Sequence, residues 1–366
     1  MNPSLMATEP RFSPAALARV VIVLAIATAL AVALGIALGE RPLSLSTAFS
    51  DPASLDRGIL VALRLPRALL GMLVGAALAV SGAALQALLQ NPLADPFVLG
   101  VSGGAALGGA AAIALGLDQL PQVLAPLANS MPAVLAAATR GLASLSPVAL
   151  FAFGGALAAT AVVFGAGRVG GRVTPYGALL AGVVFNAFAA AAITTLKSLT
   201  SPERLGALLY WLAGALTYPG YGTLLALALL VVGSTAALIH DAHALNLLSQ
   251  GEENALALGV DVPRVRRRLF MAASLAVASA VALTGLIGFV GLLVPQVLRL
   301  WLGPDQRLLL PASALGGAAF LVLADLGVRL LFPVLGAEAP VGVLTALLGG
   351  PAFLFLLRKR GAELAG

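Results

Sequence analysis

From Ala68 to Gln90 no side chain carries a charge, and several other windows of about 20 residues share this property. A run of that length crosses the hydrocarbon core of a bilayer as a helix, so a chain with several of them has few other folds open to it. The rest of the sequence agrees. Hydrophobic residues make up 60% of the chain and charged residues 10%, and the mean hydropathy of +1.03 lies far outside soluble composition. Abundant glycine and alanine suit helices that pack backbone to backbone, because lipid provides no hydrophobic drive for their association. The fold expected is all-α, a polytopic membrane protein forming a single transmembrane domain over residues 1–366.

About ten spans read out in order. They fall near Val20–Leu38, Leu65–Leu89, Phe97–Leu117, Val148–Ala166, Tyr176–Leu196, Thr223–Ile239, Leu269–Leu286, Ile287–Leu302, Leu308–Leu330 and Val341–Leu357. The eighth is interrupted by Pro295. Basic residues ahead of the first run also fit a signal peptide, but the run exceeds the usual apolar core of about 7–15 residues. Residues 118–146 read as an excursion outside the membrane. Ser198–Pro219, with Tyr210 and Trp211, reads as an interfacial helix. With the N-terminus inside, thirteen Arg and Lys residues are cytoplasmic and eight are outside. The positive-inside rule therefore favours an N-in/C-in topology, with residues 1–19 and 358–366 as cytoplasmic ends. Arg64, Arg67 and Arg329 are exceptions on the outer side.

Several chemistries are missing. There is no cysteine, hence no disulfide and no thiolate ligand. No phosphate-binding G-x-x-x-x-G-K-[ST] loop occurs, so nucleotide hydrolysis is not expected of this chain. His240 and His243 stand without further ligands and read as solvated interfacial side chains rather than a metal site. The clear intramembrane acid is Asp325, four residues before Arg329 and able to pair with it on one helix face. A self-paired acid makes a poor ion relay, so a transporter of this kind needs an external motor.

The cytoplasmic stretch 245–268, LNLLSQGEENALALGVDVPRVRRR, is where a motor could grip. It reads as two short helices hinged at Gly259. Gly251 precedes Glu252 and Glu253, which suit a first helical turn. Ala255, Leu256 and Leu258 supply a small apolar face, and Pro263 begins a helix rich in arginine. An ordinary positive-inside loop explains the arginines but not the ordered G-E-E-x-A-x-x-L-G-V core.

Taken together, the chain resembles the FecCD-type, or type II, ABC importer permeases that take up iron-siderophore, haem and vitamin B12. The resemblance runs from about Leu17 to Arg360. It rests on RLPR at 64–67, SGAALQALLQNPLADPFVLGVSGGAALG at 81–108, LLAGV at 179–183 and YWLAGAL at 210–216. It rests equally on GEENALALGV at 251–260, GFVGLLVPQVLRLWLG at 288–303, LLLPASALGGAAFLVLADLGVRL at 308–330 and EAPVGVLTALLGGPAFLFLL at 338–357. The resemblance implies the type II importer permease fold in a bacterial cytoplasmic membrane. It also implies a homodimer, two cytoplasmic ATP-binding subunits that use ATP and magnesium, and a periplasmic or lipid-anchored substrate-binding protein. By the same resemblance, Gly251, Glu252, Glu253, Ala255, Leu258, Gly259 and Val260 form the coupling helix. Asn91 and Leu93 help close a cytoplasmic gate. Thr174, Pro175 and Tyr176 form a second gate element, where proline and tyrosine depart from the small polar residues usual in the family. Arg64, Arg67 and Arg329 match positions that dock the binding protein.

The function expected is inward movement of a metal chelate by alternating access, with a ferric siderophore favoured and cobalamin or haem as the alternatives. No catalytic residue, metal ligand, cofactor or nucleic-acid partner is expected in this chain. An ion-coupled secondary transporter is the remote alternative; it would need internal inverted repeats and intramembrane ionisable groups, and beyond the self-paired Asp325 neither is evident. A membrane-embedded enzyme needs a convergent polar constellation that the spans do not show.

Overall fold

The computed structural model describes residues 13–39, 42–119, 146–169 and 172–365. The N-terminal segment before Ser13 and nearly all of the expected 118–146 excursion lie outside the described residues. Helix α1 (Pro14–Ala37) is followed by α2 (Leu45–Ser50) and α3 (Leu55–Ile59). A π-helical turn at Leu60–Arg64 then leads without a break into α4 (Leu65–Leu88). Next come α5 (Val101–Ala114), α6 (Pro147–Ala166) and a two-residue antiparallel ladder of β1 (Arg168–Val169) with β2 (Arg172–Val173). Helices α7 (Pro175–Leu199) and α8 (Pro202–Leu212) follow. The remainder comprises α9 (Tyr221–His240), α10 (Ala242–Ser249), α11 (Glu252–Ala257), α12 (Val262–Thr284), α13 (Val290–Leu302), α14 (Gln306–Leu335) and α15 (Val341–Ala365).

The architecture is the all-α, membrane-spanning one that the apolar runs imply. Among the described residues, seven helical segments are long and apolar enough to cross a membrane: α1, the continuous Leu55–Leu88, α6, α7, α9, α12 and α14. Helices α5, α13 and the apolar part of α15 occupy the other three expected places but are shorter. Length and composition thus qualify seven of the roughly ten spans expected. Left-handed backbone starts two of the short helices late: Gly100 (φ +81°) precedes α5 and Phe289 (φ +67°) precedes α13. The second span also differs from expectation, because helix begins at Leu55 rather than Leu65. Pro66 has no N–H to continue an α-helical ladder, and the π turn just ahead of it, with Leu65 N bonded to Leu60 O, carries the helix through.

The chain folds as two compact units. The first draws on the described residues through Pro96, Leu216–Ala276 and those from Ile287 on; the second comprises Phe97–Ala215 and Val277–Leu286. In the first, α4 is the central element, buried along most of its length and packed by α14, α13 and α9. Glycine makes this possible. A Cβ on Gly75 would sit 2.1 Å from the Gly317 carbonyl oxygen of α14, and one on Gly82 only 1.9 Å from that of Gly291 in α13. In the second unit α5 packs on α6 and α7. Leu208 of α8 completes a small core there with Ala110 and Ile113.

One end of the first unit is fastened by charge. Arg64 Nη1 donates to the Ile36 and Ala37 carbonyls, each at 2.8 Å. Arg329 donates to Gly35 O (2.8 Å) and Leu38 O (3.2 Å). Between them the two arginines serve the last carbonyls of α1, which have no partner within their own helix. Cations there also oppose the negative end of the helix dipole. Arg67 of α4 grips Asp325 of α14 through Nε and Nη2 at 2.8–3.1 Å, and Arg329 Nε lies 3.0 Å from the same carboxylate. Arg67 also donates to the Tyr218 hydroxyl (2.7 Å), stacks its guanidinium over that ring and pairs with Glu338.

Two stability tests follow from this packing. Replacing Gly75 with valine should cost about 3 kcal/mol, the upper end of the overpacking range, because the obstacle is backbone rather than a movable side chain. Asp325→Ala should cost about 3–5 kcal/mol by leaving two buried guanidinium groups without their shared anion. Thermal unfolding of purified protein in detergent would measure both, and melting points within a degree of the parent would contradict them.

Candidate functional site

The segment expected to meet a motor takes in the end of α10, all of α11 and the start of α12, joined by two glycine turns. Helix α10 ends at Ser249, and Gly251, at φ +119°, turns the chain into the six residues of α11. Gly259, at φ +82°, closes that helix, and α12 starts at Val262. The second turn stands at the expected position, and both turns use backbone that residues with a Cβ rarely adopt. Glu252 and Glu253 occupy the first turn of α11, and Glu252 Oε2 accepts from Arg266 Nη2 of α12 at 3.0 Å. Arg268 bonds Asp241 through Nε at 2.9 Å, tying α12 to the junction of α9 and α10. The three residues of the expected apolar face divide between the two sides of α11. Ala255 is fully buried, so it anchors α11 from beneath, while Leu256 (51%) and Leu258 (66%) remain exposed.

A second tie lies at the start of α14. Asn246 of α10 donates to Asp305 Oδ1 (2.7 Å) and accepts from the Gln306 N–H (2.8 Å). Asp305 in turn accepts from the Arg307 N–H and guanidinium. Burial works against the Asp305 carboxylate, but the bonds from Arg307 and Asn246 outweigh it and hold its pKa below the ordinary value.

The turn after α4 is locally over-determined. Asn91 Oδ1 accepts from the Leu93 N–H at 2.9 Å, and Asn91 O accepts from Ala94 N at 3.0 Å, so the side chain and the backbone of Asn91 brace the same loop. Leu93 is left exposed. Pro92 O accepts from Gln296 Nε2 (2.8 Å), and Gln296 also donates to Gln86 Oε1 (3.1 Å). Gln86 Nε2 reaches the Gly291 carbonyl at 3.2 Å. That oxygen lacks a helical donor because Pro295, four residues on, has no N–H. Gln90 Nε2 reaches Leu248 O of α10 at 2.7 Å. The turn with Asn91 and Leu93 is thus brought together with the segment leading into α11, all within the first unit.

Thr174, Pro175 and Tyr176 belong to the second unit, where they begin α7. Thr174 Oγ1 caps the helix by accepting from Gly177 N at 3.1 Å, proline fills the first turn and Tyr176 is exposed.

Arg64, Arg67 and Arg329 depart from the expected arrangement. They were expected to face a docked partner, yet their exposures are 7%, 4% and 7%, and their guanidinium groups are turned onto α1 and Asp325. Buried Asp325 draws in Arg67 and Arg329, while the end of helix α1 takes donors from Arg64 and Arg329. The pairing of Asp325 with Arg329 could be read from their spacing; the participation of Arg67 could not, since 258 residues separate it from Asp325. Gln86, Gln90, Gln296 and Asn246 were also missed. Gln86 and Gln296 are amides within apolar runs, whereas Gln90 is indistinguishable from the polar turn beside it.

Residues 23–359 match the FecCD transport family. A cobalamin import system permease protein, BtuC, of Halobacterium salinarum is 42% identical over 81% of this chain and 73% of its own length. The hemin transport system permease protein HmuU of Yersinia pestis is 40% identical over 83% of this chain and 84% of its own. A solved ABC transporter described as metal-chelate type, in an inward-facing conformation, superposes with a TM-score of 0.76 at 27% identity, covering 94% of this chain and 99% of that one. The chain is a multi-pass membrane permease and belongs to the FecCD transport family.

Proposed function

We propose that this chain is the permease of an ATP-driven importer that moves a metal chelate into the cell by alternating access. The observation that carries this reading is the family match over residues 23–359. Two copies of the chain form the pathway, two ATP-binding subunits grip Gly251–Val260 from the cytoplasm, and a binding protein delivers cargo on the other face. The exposed side chains of Glu253, Leu256 and Leu258 suit contact with a partner, while Ala255 and the Glu252–Arg266 pair keep α11 fixed to its own chain. Asn91 and Leu93, together with Thr174, Pro175 and Tyr176, act as gate elements. Docking of the binding protein uses the outer surface around Tyr218 and Glu338; Arg64, Arg67 and Arg329 support that surface from beneath by holding α1, α4 and α14 in register.

The cargo is a metal chelate. A ferric siderophore is the reading the sequence favoured, and a Helicobacter pylori relative named as a probable iron chelatin permease, 36% identical, supports it. Cobalamin and haem form a second reading, favoured by the names of the relatives at 42% and 40% identity.

Reconstitution in proteoliposomes tests the reading. Labelled ferric siderophore, cobalamin and haem are offered in turn, with the cognate binding protein outside and ATP within. Uptake of one of them is expected only when the ATP-binding subunit is present; uptake that persists without that subunit or without ATP contradicts the proposal. Gly259→Val should lower ATP-driven uptake by about tenfold while the protein still accumulates in the membrane. No atom lies within 4 Å of the added Cβ, so the effect is conformational: a β-branched residue resists φ +82° by about 1–2 kcal/mol. Full uptake by that variant would show that the hinge conformation is dispensable.

A further inference from the structure

Where α4 ends, a glutamine occupies the place that glycine ordinarily takes. Gln90 has φ +48°, and the two bonds that close the helix around it, Gln90 N to Ala87 O (3.2 Å) and Asn91 N to Gln86 O (3.1 Å), form the Schellman pattern that calls for left-handed backbone. Glycine adopts that conformation without penalty, and asparagine tolerates it, but glutamine has no comparable local compensation. What the Gln90 side chain makes instead is a distant bond, to Leu248 O in the last turn of α10 at 2.7 Å. The same carbonyl accepts from Gly251 N at 3.1 Å, the residue that turns the chain into α11. On the other side of the turn, Gln296 holds Pro92 O. Strained backbone kept in place for the sake of a side-chain contact points from an observed outlier to a functional role.

We propose that Gln90 is a positioning residue that ties the gate turn Gln90–Pro96 to the coupling segment through the Leu248 carbonyl, while Gln296 steadies the same turn against α13. Displacement of α10 and α11 then carries the gate turn with it. The proposal rests on the transport reading above. If Gln90 were only a helix terminator, glycine would serve as well or better, and this is what makes glycine the discriminating substitution. Gln90→Gly relieves the backbone and removes the tether, so loss of folding does not confuse the result. Gln90→Asn keeps an amide and tolerance of left-handed backbone but is one methylene too short to reach.

The chain contains no cysteine, so Leu93→Cys places a single thiol at the exposed tip of the turn. The complete complex with its ATP-binding subunits is labelled with N-ethylmaleimide, nucleotide-free and trapped with ATP. In the Leu93→Cys parent the labelling rate should differ between the two states by about fivefold or more. Adding Gln90→Gly or Gln90→Asn should bring that ratio below about twofold, with thermal stability retained and ATP hydrolysis persisting in the partner subunit. A Gln90→Gly complex that keeps the full ratio overturns the proposal and leaves the transport reading intact. A parent whose labelling ignores nucleotide overturns the transport reading, and the tether with it.

Discussion

Helix α4 meets its neighbours backbone to backbone, and the first unit is arranged around that contact. Gly75 lies against the Gly317 carbonyl of α14, and Gly82 lies against the Gly291 carbonyl of α13. In lipid, apolar surface gains little by leaving its surroundings, so association depends on close packing and on polar groups that find partners. Glycine supplies the first; the ends of α4 supply the second. Because both contacts are backbone against backbone, sliding or rotating α4 past α14 breaks the first and past α13 the second.

The polar groups are divided between those two ends. At one end Arg67 shares Asp325 with Arg329, and Arg64 and Arg329 finish the open C-terminus of α1. A buried carboxylate with a single cation would be a weak arrangement, since desolvation of the pair can exceed its attraction; two cations with further hydrogen bonds offset that cost. At the other end amides replace charges. Gln86 reaches the carbonyl that Pro295 frees, Gln296 bridges Gln86 to Pro92, and Gln90 reaches across to α10. An interruption in one helix is thus repaired by a side chain from another, and the repair positions the turn beside it.

Much of this fold was legible in the sequence. Uninterrupted apolar runs located the helices, and the Gly251 and Gly259 spacing located the turns around α11, because both are local signals. Helix boundaries were less legible where two local rules conflict: Pro66 reads as a helix start, yet a π turn lets Leu55–Leu88 run through it. The arginines were found by position and misjudged by orientation. Arg64 and Arg67 look like surface cations beside a helix start, and only the three-dimensional proximity of the α1 carbonyls and of Asp325 turns them inward. Gln90 was invisible for the same reason. Nothing in LLQNPLADP marks its side chain as belonging to a carbonyl 158 residues away.

If Gln90 tethers the proposed gate turn to the proposed coupling segment, the two move as one body. Spin labels on cysteines placed at Leu93 and Leu256, both exposed, would test it by pulsed dipolar spectroscopy on complexes with one labelled and one unlabelled copy. The tether predicts the same separation within that copy in nucleotide-free and ATP-trapped complexes. A separation that changes by about 5 Å, one helical turn, would contradict it.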